Sequence, residues 1–186
     1  MRASTNGFRI TRATAADAVP LADLATRAFV AAFAADNDPQ DIHRYVAESF
    51  SRERIAHELA MWGSTFLLGY DDTLPATGAV GYAQLQRGAN EHVDGQQPVQ
   101  LVRLYVEPAL IGRRYGGALL QACFDEATRL GCDVIWLGVW EHNTQARRFY
   151  ERWRFRHVGA EAFVLGSDVQ TDHIMACALP DRRKAL

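Results

Sequence analysis

The chain has three cysteines, Cys123, Cys132 and Cys177, and no C-x-x-C pair among its 186 residues. An odd, unpaired set argues against both a disulfide framework and a zinc site, and no metal centre is expected. Cys123 and Cys177 sit among apolar neighbours, where core packing is the expected role. No stretch of about 18 apolar residues occurs. The polar start, Met1 to Gly7, is followed by no apolar signal segment, so a cytoplasmic, membrane-free protein is expected. The net charge is −2. No basic patch is dense enough to hold a nucleic acid backbone. The short run Asp181, Arg182, Arg183, Lys184 reads as a frayed tail. G-x-G-x-x-G is missing, and no opening strand–helix–strand unit is present, which argues against a dinucleotide site.

What is present is ordinary globular material: 48% hydrophobic and 23% charged residues, enough for one domain spanning residues 1–186. Periodicity predicts a strand at Phe8–Thr11 and a helix over Asp17–Phe33, capped by Thr14 or Asp17. One or two helices follow over Asp41–Phe50 and Arg52–Trp62. Thr65–Tyr70 and Gly78–Gln86 read as a hairpin around a turn at Asp71–Thr77. A polar loop, Arg87–Pro98, precedes a strand at Gln100–Val106. Gly116–Leu130 carries an apolar stripe of Leu119, Leu120, Cys123, Phe124, Ala127 and Leu130 and closes at Gly131. Val134–Trp140 is continuously apolar, as a strand covered on both faces should be. Asn143 can cap a helix running to Trp153, and Phe155–Val164 and His173–Leu179 read as a last strand pair. The strand–loop–helix–strand unit in the middle implies a parallel pair, hence a mixed α/β sheet with helices on both faces.

The segment VEPALIGRRYGGALL, from Val106 to Leu120, ends a strand, turns through Gly112, Gly116 and Gly117 and starts a helix at once. Such a turn aims backbone N–H groups at one point at the positive end of a helix dipole, a place suited to a pyrophosphate. Arg113 and Arg114 add charge and paired donors. Read alone, the same residues also describe a glycine-containing connection with two solvated arginines.

With these residues the sequence resembles the GNAT acetyltransferases, whose phosphate loop follows Q/R-x-x-G-x-G/A. The matching stretch is Ile111, Gly112, Arg113, Arg114, Tyr115 and Gly116. Ile111 replaces the polar residue, and Arg114 stands where the first glycine is usual. The string from Gly138 through Asn143 to Phe149, Tyr150 and Phe155 resembles the second half of the family's site, with Arg154 where a glycine is usual. Ala28–Pro39, Arg103–Val106 and Val164–Met175 are similar to segments of the PaiA-type branch, the bacterial polyamine N-acetyltransferases.

The resemblance implies a GNAT fold in which a splayed parallel strand pair holds acetyl-CoA as cosubstrate. It implies cofactor contacts at Leu104, Tyr105, Val106, Gly112, Arg113, Arg114, Tyr115, Gly116, Gly117, Asn143 and Tyr150, with the N–H of Leu104 or Tyr105 facing the oxyanion. Acyl transfer to an amine needs a deprotonated amine, donors for the oxyanion and a proton for the departing thiolate. Tyr150 is the expected acid; read on spacing alone it is a core aromatic. Glu141 is the nearest candidate base or amine anchor, beside a backbone-held water or a relay through His142. Asp36, Asp38 and Asp172 are candidate carboxylates for a cationic amine, and Trp140 could pack on one. The implied activity is transfer of an acetyl group to a primary amine, a small polyamine foremost. A protein or peptide acetyltransferase and a non-catalytic CoA-binding module stay open. The family's frequent homodimers make a dimer the implied assembly.

Overall fold

The computed structural model describes residues 3–5, 7–74 and 78–180. The tail at Asp181–Lys184 and part of the turn expected at Asp71–Thr77 lie outside them. In chain order the elements are β1 (Ala3–Thr5), β2 (Phe8–Arg12), α1 (Ala18–Phe33), α2 (Pro39–Ser49), α3 (Arg52–Ala60), β3 (Ser64–Asp71), β4 (Gly81–Arg87), β5 (Pro98–Val106), α4 (Tyr115–Arg129), β6 (Val134–Trp140), α5 (Thr144–Arg152), β7 (Arg156–Leu165) and β8 (Asp168–Ala178). One sheet runs in the order β1-β2-β3-β4-β5-β6-β8-β7. Only β5 and β6 are parallel; every other neighbouring pair is antiparallel. Among the described residues no helix is long and apolar enough to cross a membrane.

Helices cover both faces. Leu119, Leu120, Cys123 and Ala127 of α4 pack with Ile135, Leu137 and Val139 of β6 and with Tyr150 and Phe155. On the opposite face Leu21, Leu24, Ala25 and Phe29 of α1 pack with Ile42 of α2, Ile55 of α3, and Phe66, Leu68 and Tyr82. β6 turns Ile135, Leu137 and Val139 to the α4 side, while on its other side Trp136 donates to Gly88 O at 2.9 Å and Trp140 meets the Phe33 ring at 6.5 Å, so its sequence does not alternate.

Two differences from the sequence reading have plain causes. β1 was not expected: three residues carry too little pattern to register. The last strand starts at Asp168 rather than His173, because β7 and β8 form a hairpin that turns at Gly166. Gly166 has φ +62°, and a Cβ there would lie 2.1 Å from Asp41 Oδ1. That carboxylate accepts hydrogen bonds from the Ser167 N–H at 2.9 Å and the Ser167 hydroxyl at 2.8 Å. The hairpin tip is thus fastened to α2. These bonds hold the Asp41 carboxyl below its ordinary range.

Between β4 and β5 the register shifts: Gln84 opposes Arg103 while Leu85 opposes Leu101. Val102 is the extra residue of a β-bulge, which bends its strand and sharpens the local twist. Beyond the bulge, Arg103 is held by a buried network. Its Nη1 donates to Glu58 Oε2 at 2.5 Å and to Gln84 Oε1 at 2.9 Å, and Gln84 Nε2 donates to Glu58 Oε2 at 3.2 Å. The guanidinium also lies 4.9 Å from the centre of the Phe50 ring. Removing one partner of such a pair leaves an uncompensated buried charge. Glu58→Ala is expected to lower unfolding free energy by about 3–5 kcal/mol, measured by urea denaturation; a loss typical of an exposed pair, under about 1 kcal/mol, would contradict the assignment.

Candidate active site

β5 and β6 stay paired only at Pro98–Val134, Val99–Ile135 and Gln100–Trp136, although β5 continues to Val106 and β6 to Trp140. Past the bulge the strands diverge. Alternation fixes which backbone groups face the gap. The Glu107 N–H bonds to Val80 O on the β4 side, and Gly81 opposes Val106. Leu104 and Val106 therefore turn their N–H and C=O away from β4 and into the gap, while those of Tyr105 point to β4. Of the two amides named from sequence, that of Leu104 faces the gap and that of Tyr105 faces β4. Strand groups facing a gap need a partner, and an extended, amide-bearing arm such as pantetheine matches that need.

The phosphate-type loop sits at the mouth of this gap. The first paired amide of α4 is that of Ala118, which donates to Arg114 O. The N–H groups of Tyr115, Gly116 and Gly117 lie beyond the reach of the i−4 pattern, and no side chain caps this end. A Cβ on Gly116 would meet no atom closer than 3.9 Å. The protein itself therefore does not fill the space that this glycine leaves open. Arg114 has φ +67° and Gly112 φ +92°. The left-handed backbone at Arg114 explains why glycine is usual at this position of the motif. Arg154, the other residue standing in for a glycine, has φ +68°.

The side chains around the loop are divided in their attachments. The Tyr115 ring stacks on Phe8 at 4.1 Å, and its hydroxyl donates to the buried Asp71. Arg113 Nη1 lies 3.7 Å from Asp71 Oδ2. Tyr115 thus offers a ligand its amide rather than its ring. Thr73 donates to Asp71 from backbone and hydroxyl, and these bonds with the Tyr115 hydroxyl hold the Asp71 carboxyl below its ordinary range. Arg114 is exposed and, among the described residues, makes no ion pair.

On the same face α5 begins at Asn143, whose Oδ1 accepts from the Ala146 N–H at 3.0 Å. This cap, rather than a free side chain, is the job the fold gives Asn143. It fixes the helix that carries Tyr150. Tyr150 is buried with Phe155 edge-on at 5.5 Å, and burial pushes its phenol well above the ordinary value. Glu141 follows β6; its backbone N–H bonds to Thr171 O and its carbonyl accepts from Arg147. Burial, with the Arg147 and His157 charges, holds the His173 imidazole below its ordinary value; alternation places it on the α5 face of β8.

The opposite face of the gap is lined by aromatic side chains. Phe33 and Trp140 meet at 6.5 Å, and Tyr45 packs against Phe163 at 5.6 Å. His142 is exposed, edge-on to Trp140 at 5.2 Å. Asp36 is exposed, and Asp38 is the cap of α2, accepting from the Gln40 N–H at 2.7 Å. Asp38 thus has a structural role as a cap, with its side chain exposed. Asp172 lies on this aromatic face, opposite Trp140 on β6 and Glu161 on β7. Burial, with the Glu161 charge beside it, pushes its carboxyl up to about 6. Glu161 itself accepts from Asn90 Nδ2 at 3.1 Å. The sequence reading missed Glu161, and its only signal is its strand position opposite Asp172.

Comparison with known proteins agrees with this geometry. The sequence matches the profile of the Acetyltransferase (GNAT) family over residues 23–155. An uncharacterized N-acetyltransferase of Lactobacillus delbrueckii subsp. lactis is 29% identical over 93% of this chain and 98% of its own length. One from Mycobacterium bovis is 31% identical over 86% of this chain and 96% of its own. The fold is similar to that of the PaiA N-acetyltransferase of Thermoplasma acidophilum, solved with coenzyme A, with a TM-score of 0.74 at 20% identity, covering 92% of this chain and 98% of that one. A ribosomal-protein alanine N-acetyltransferase from Escherichia coli aligns with a TM-score of 0.68 at 17% identity, over 96% and 98% of the two chains.

The left-handed residues supply a test. A non-glycine residue in that region is strained by about 1–2 kcal/mol, and glycine returns part of this through a freer unfolded chain. Arg154→Gly is expected to raise the unfolding free energy by about 1 kcal/mol, seen as an upward shift in thermal midpoint. An unchanged or lower midpoint would show that the arginine's own contacts outweigh the strain.

Proposed function

Because the chain belongs to the GNAT acetyltransferase family, we propose that it moves the acetyl group of acetyl-CoA to a primary amine, with small polyamines the leading acceptors. The observation that carries this reading is the divergence of β5 from β6 after Gln100 and Trp136, directly above the unpaired amides of α4. The amides of Tyr115, Gly116 and Gly117 take the pyrophosphate, helped by Arg113 and Arg114. Leu104 and Val106 bond the pantetheine arm as a missing strand would. When bound, acetyl-CoA supplies the thioester carbonyl, and the Leu104 N–H faces the oxygen that becomes negative at the transition state.

Tyr150 gives the departing sulfur its proton. Burial keeps the phenol protonated at neutral pH, and the same dry surroundings make a thiolate costly, so the proton is held where the charge appears. Glu141, expected from sequence as a base, directly follows Trp140 and bonds through its backbone N–H to Thr171 O, so by alternation it faces the α5 side of the sheet. On the acceptor side, Trp140 and Phe33 wall a path that ends at the carboxylates of Asp172 and Glu161, an arrangement suited to an amine with more than one positive charge. A tetrahedron of reacting atoms with its acid on one face and its amine arriving from the other fits a gap open to both.

The test is free-thiol release from acetyl-CoA with spermidine, spermine, putrescine, lysine and a mixed pool of N-terminal peptides as acceptors. Turnover with the polyamines, cut by about 100-fold or more in Tyr150→Phe while acetyl-CoA binding stays, is the expected result. Turnover with peptides alone would move the substrate class to proteins. Binding of acetyl-CoA with no turnover on any acceptor would point to a sensor instead.

A further inference from the structure

The acceptor arrives as an ammonium ion and cannot attack until it has lost a proton, yet nothing described so far takes it. The acceptor face holds one carboxylate with an unusual setting. Asp172 is half-buried on β8 and, among the described residues, its oxygens accept no hydrogen bond and meet no cation. Glycine at 138 makes the place for it: a Cβ there would lie 3.0 Å from Asp172 Oδ2. Gly138 is two residues past Trp136, the last residue of β6 to pair with β5. The carboxylate therefore lies across the backbone of β6 where the gap opens, on the side away from Tyr150.

We propose that Asp172 is the proton acceptor of the transfer reaction, taking the first proton from the incoming ammonium at the edge of the β5–β6 gap. This rests on the acetyltransferase reading above. The proton balance closes with the groups present. An ammonium N–H bond breaks as Asp172 is protonated, and the freed lone pair forms the C–N bond to the thioester carbon. The C–S bond breaks, and the sulfur takes the Tyr150 proton. The nitrogen's second proton returns to the Tyr150 oxygen, and Asp172, which is only partly covered, releases its proton to water.

The surroundings suit the task. The titratable groups facing Asp172 are Glu161 on β7 and Tyr45 on α2; β6 presents only Gly138 and Trp140. With no cation nearby, the carboxylate is more basic than a solvated one, and its value of about 6 sits near the working pH of a base. The same setting costs stability. A raised carboxyl value means that stability present below the ordinary aspartate range, about 4, is lost as pH rises through about 6. Asp172→Asn should therefore melt higher than wild type at pH above that window.

The experiment compares wild type and Asp172→Asn in thiol release, with whichever amine wild type acetylates, across a range of pH. Wild type is expected to show an acid limb in kcat/KM centred near 6. The variant should lose kcat by about 100-fold or more, lose that limb, keep its acetyl-CoA affinity and melt at a higher temperature. A variant that keeps kcat within about threefold, far short of the usual effect of removing a base, overturns the proposal. So does a loss confined to KM with the limb retained, which would make Asp172 an amine anchor, or a lower melting temperature, which would make it structural. Wild type that is silent on every amine would instead sink the acetyltransferase reading itself.

Discussion

The ion pair between Arg103 and Glu58 is the constraint from which the rest of the site follows. β5 must stay joined to β4 and still depart from β6, and a flat, evenly paired strand would do neither. The bulge at Val102 turns the strand. The buried guanidinium then ties its outer half to α3, to Gln84 and to the ring of Phe50. With that half of β5 secured from behind, the backbone groups of Leu104 and Val106 are left facing open space without the sheet closing over them. A buried charge pair is a poor source of net stability but a good means of fixing one arrangement among several, and here the arrangement is the width of a gap.

Around that gap the chemistry is divided between the two faces of one sheet. α4 and α5 bring the uncapped amides and Tyr150 to one face, and α1, α2 and the β7–β8 hairpin line the other, where the proposed acceptor would enter. The division follows from strand alternation. Tyr105 and Asp172 face one way and Leu104 and His173 the other, because neighbours along a strand point to opposite sides. The fastening of Asp41 to the hairpin tip at Gly166 and Ser167 matters for the same reason, since it sets the position of β8 against α2 on the acceptor side.

Features carried by local pattern could be read from the chain directly. The uninterrupted apolar run of β6, the stripe and the glycine-rich start of α4, and the cap at Asn143 all depend on residues within a few positions of one another. Arg114 and Arg154, the two arginines standing where the motif usually has glycine, are both left-handed, so the departures from the pattern pointed to real turns of the backbone. The bulge left no trace, because Val102 is as good a strand residue as its neighbours and a shift of register has no composition. The Arg103–Glu58 contact joins residues 45 apart, and the Asp41–Ser167 contact residues 126 apart; pairing of that kind is decided by packing. Asp172 was visible as a carboxylate in a suggestive segment. What distinguishes it, the lack of any partner among the described residues and the bare backbone of Gly138 beneath it, exists only in three dimensions.

The short parallel contact of β5 with β6 also has a mechanical meaning. The five strands on one side and the three on the other share sheet hydrogen bonds at a seam of three residue pairs. A sheet resists bending in proportion to the bonds that must deform together, so this seam is more compliant than the β4–β5 and β6–β8 junctions beside it. The gap lies just beyond it, like the open end of a pair of tongs. Its width is therefore set jointly by that three-pair seam and by the α2 contact that fastens the outer β7–β8 hairpin.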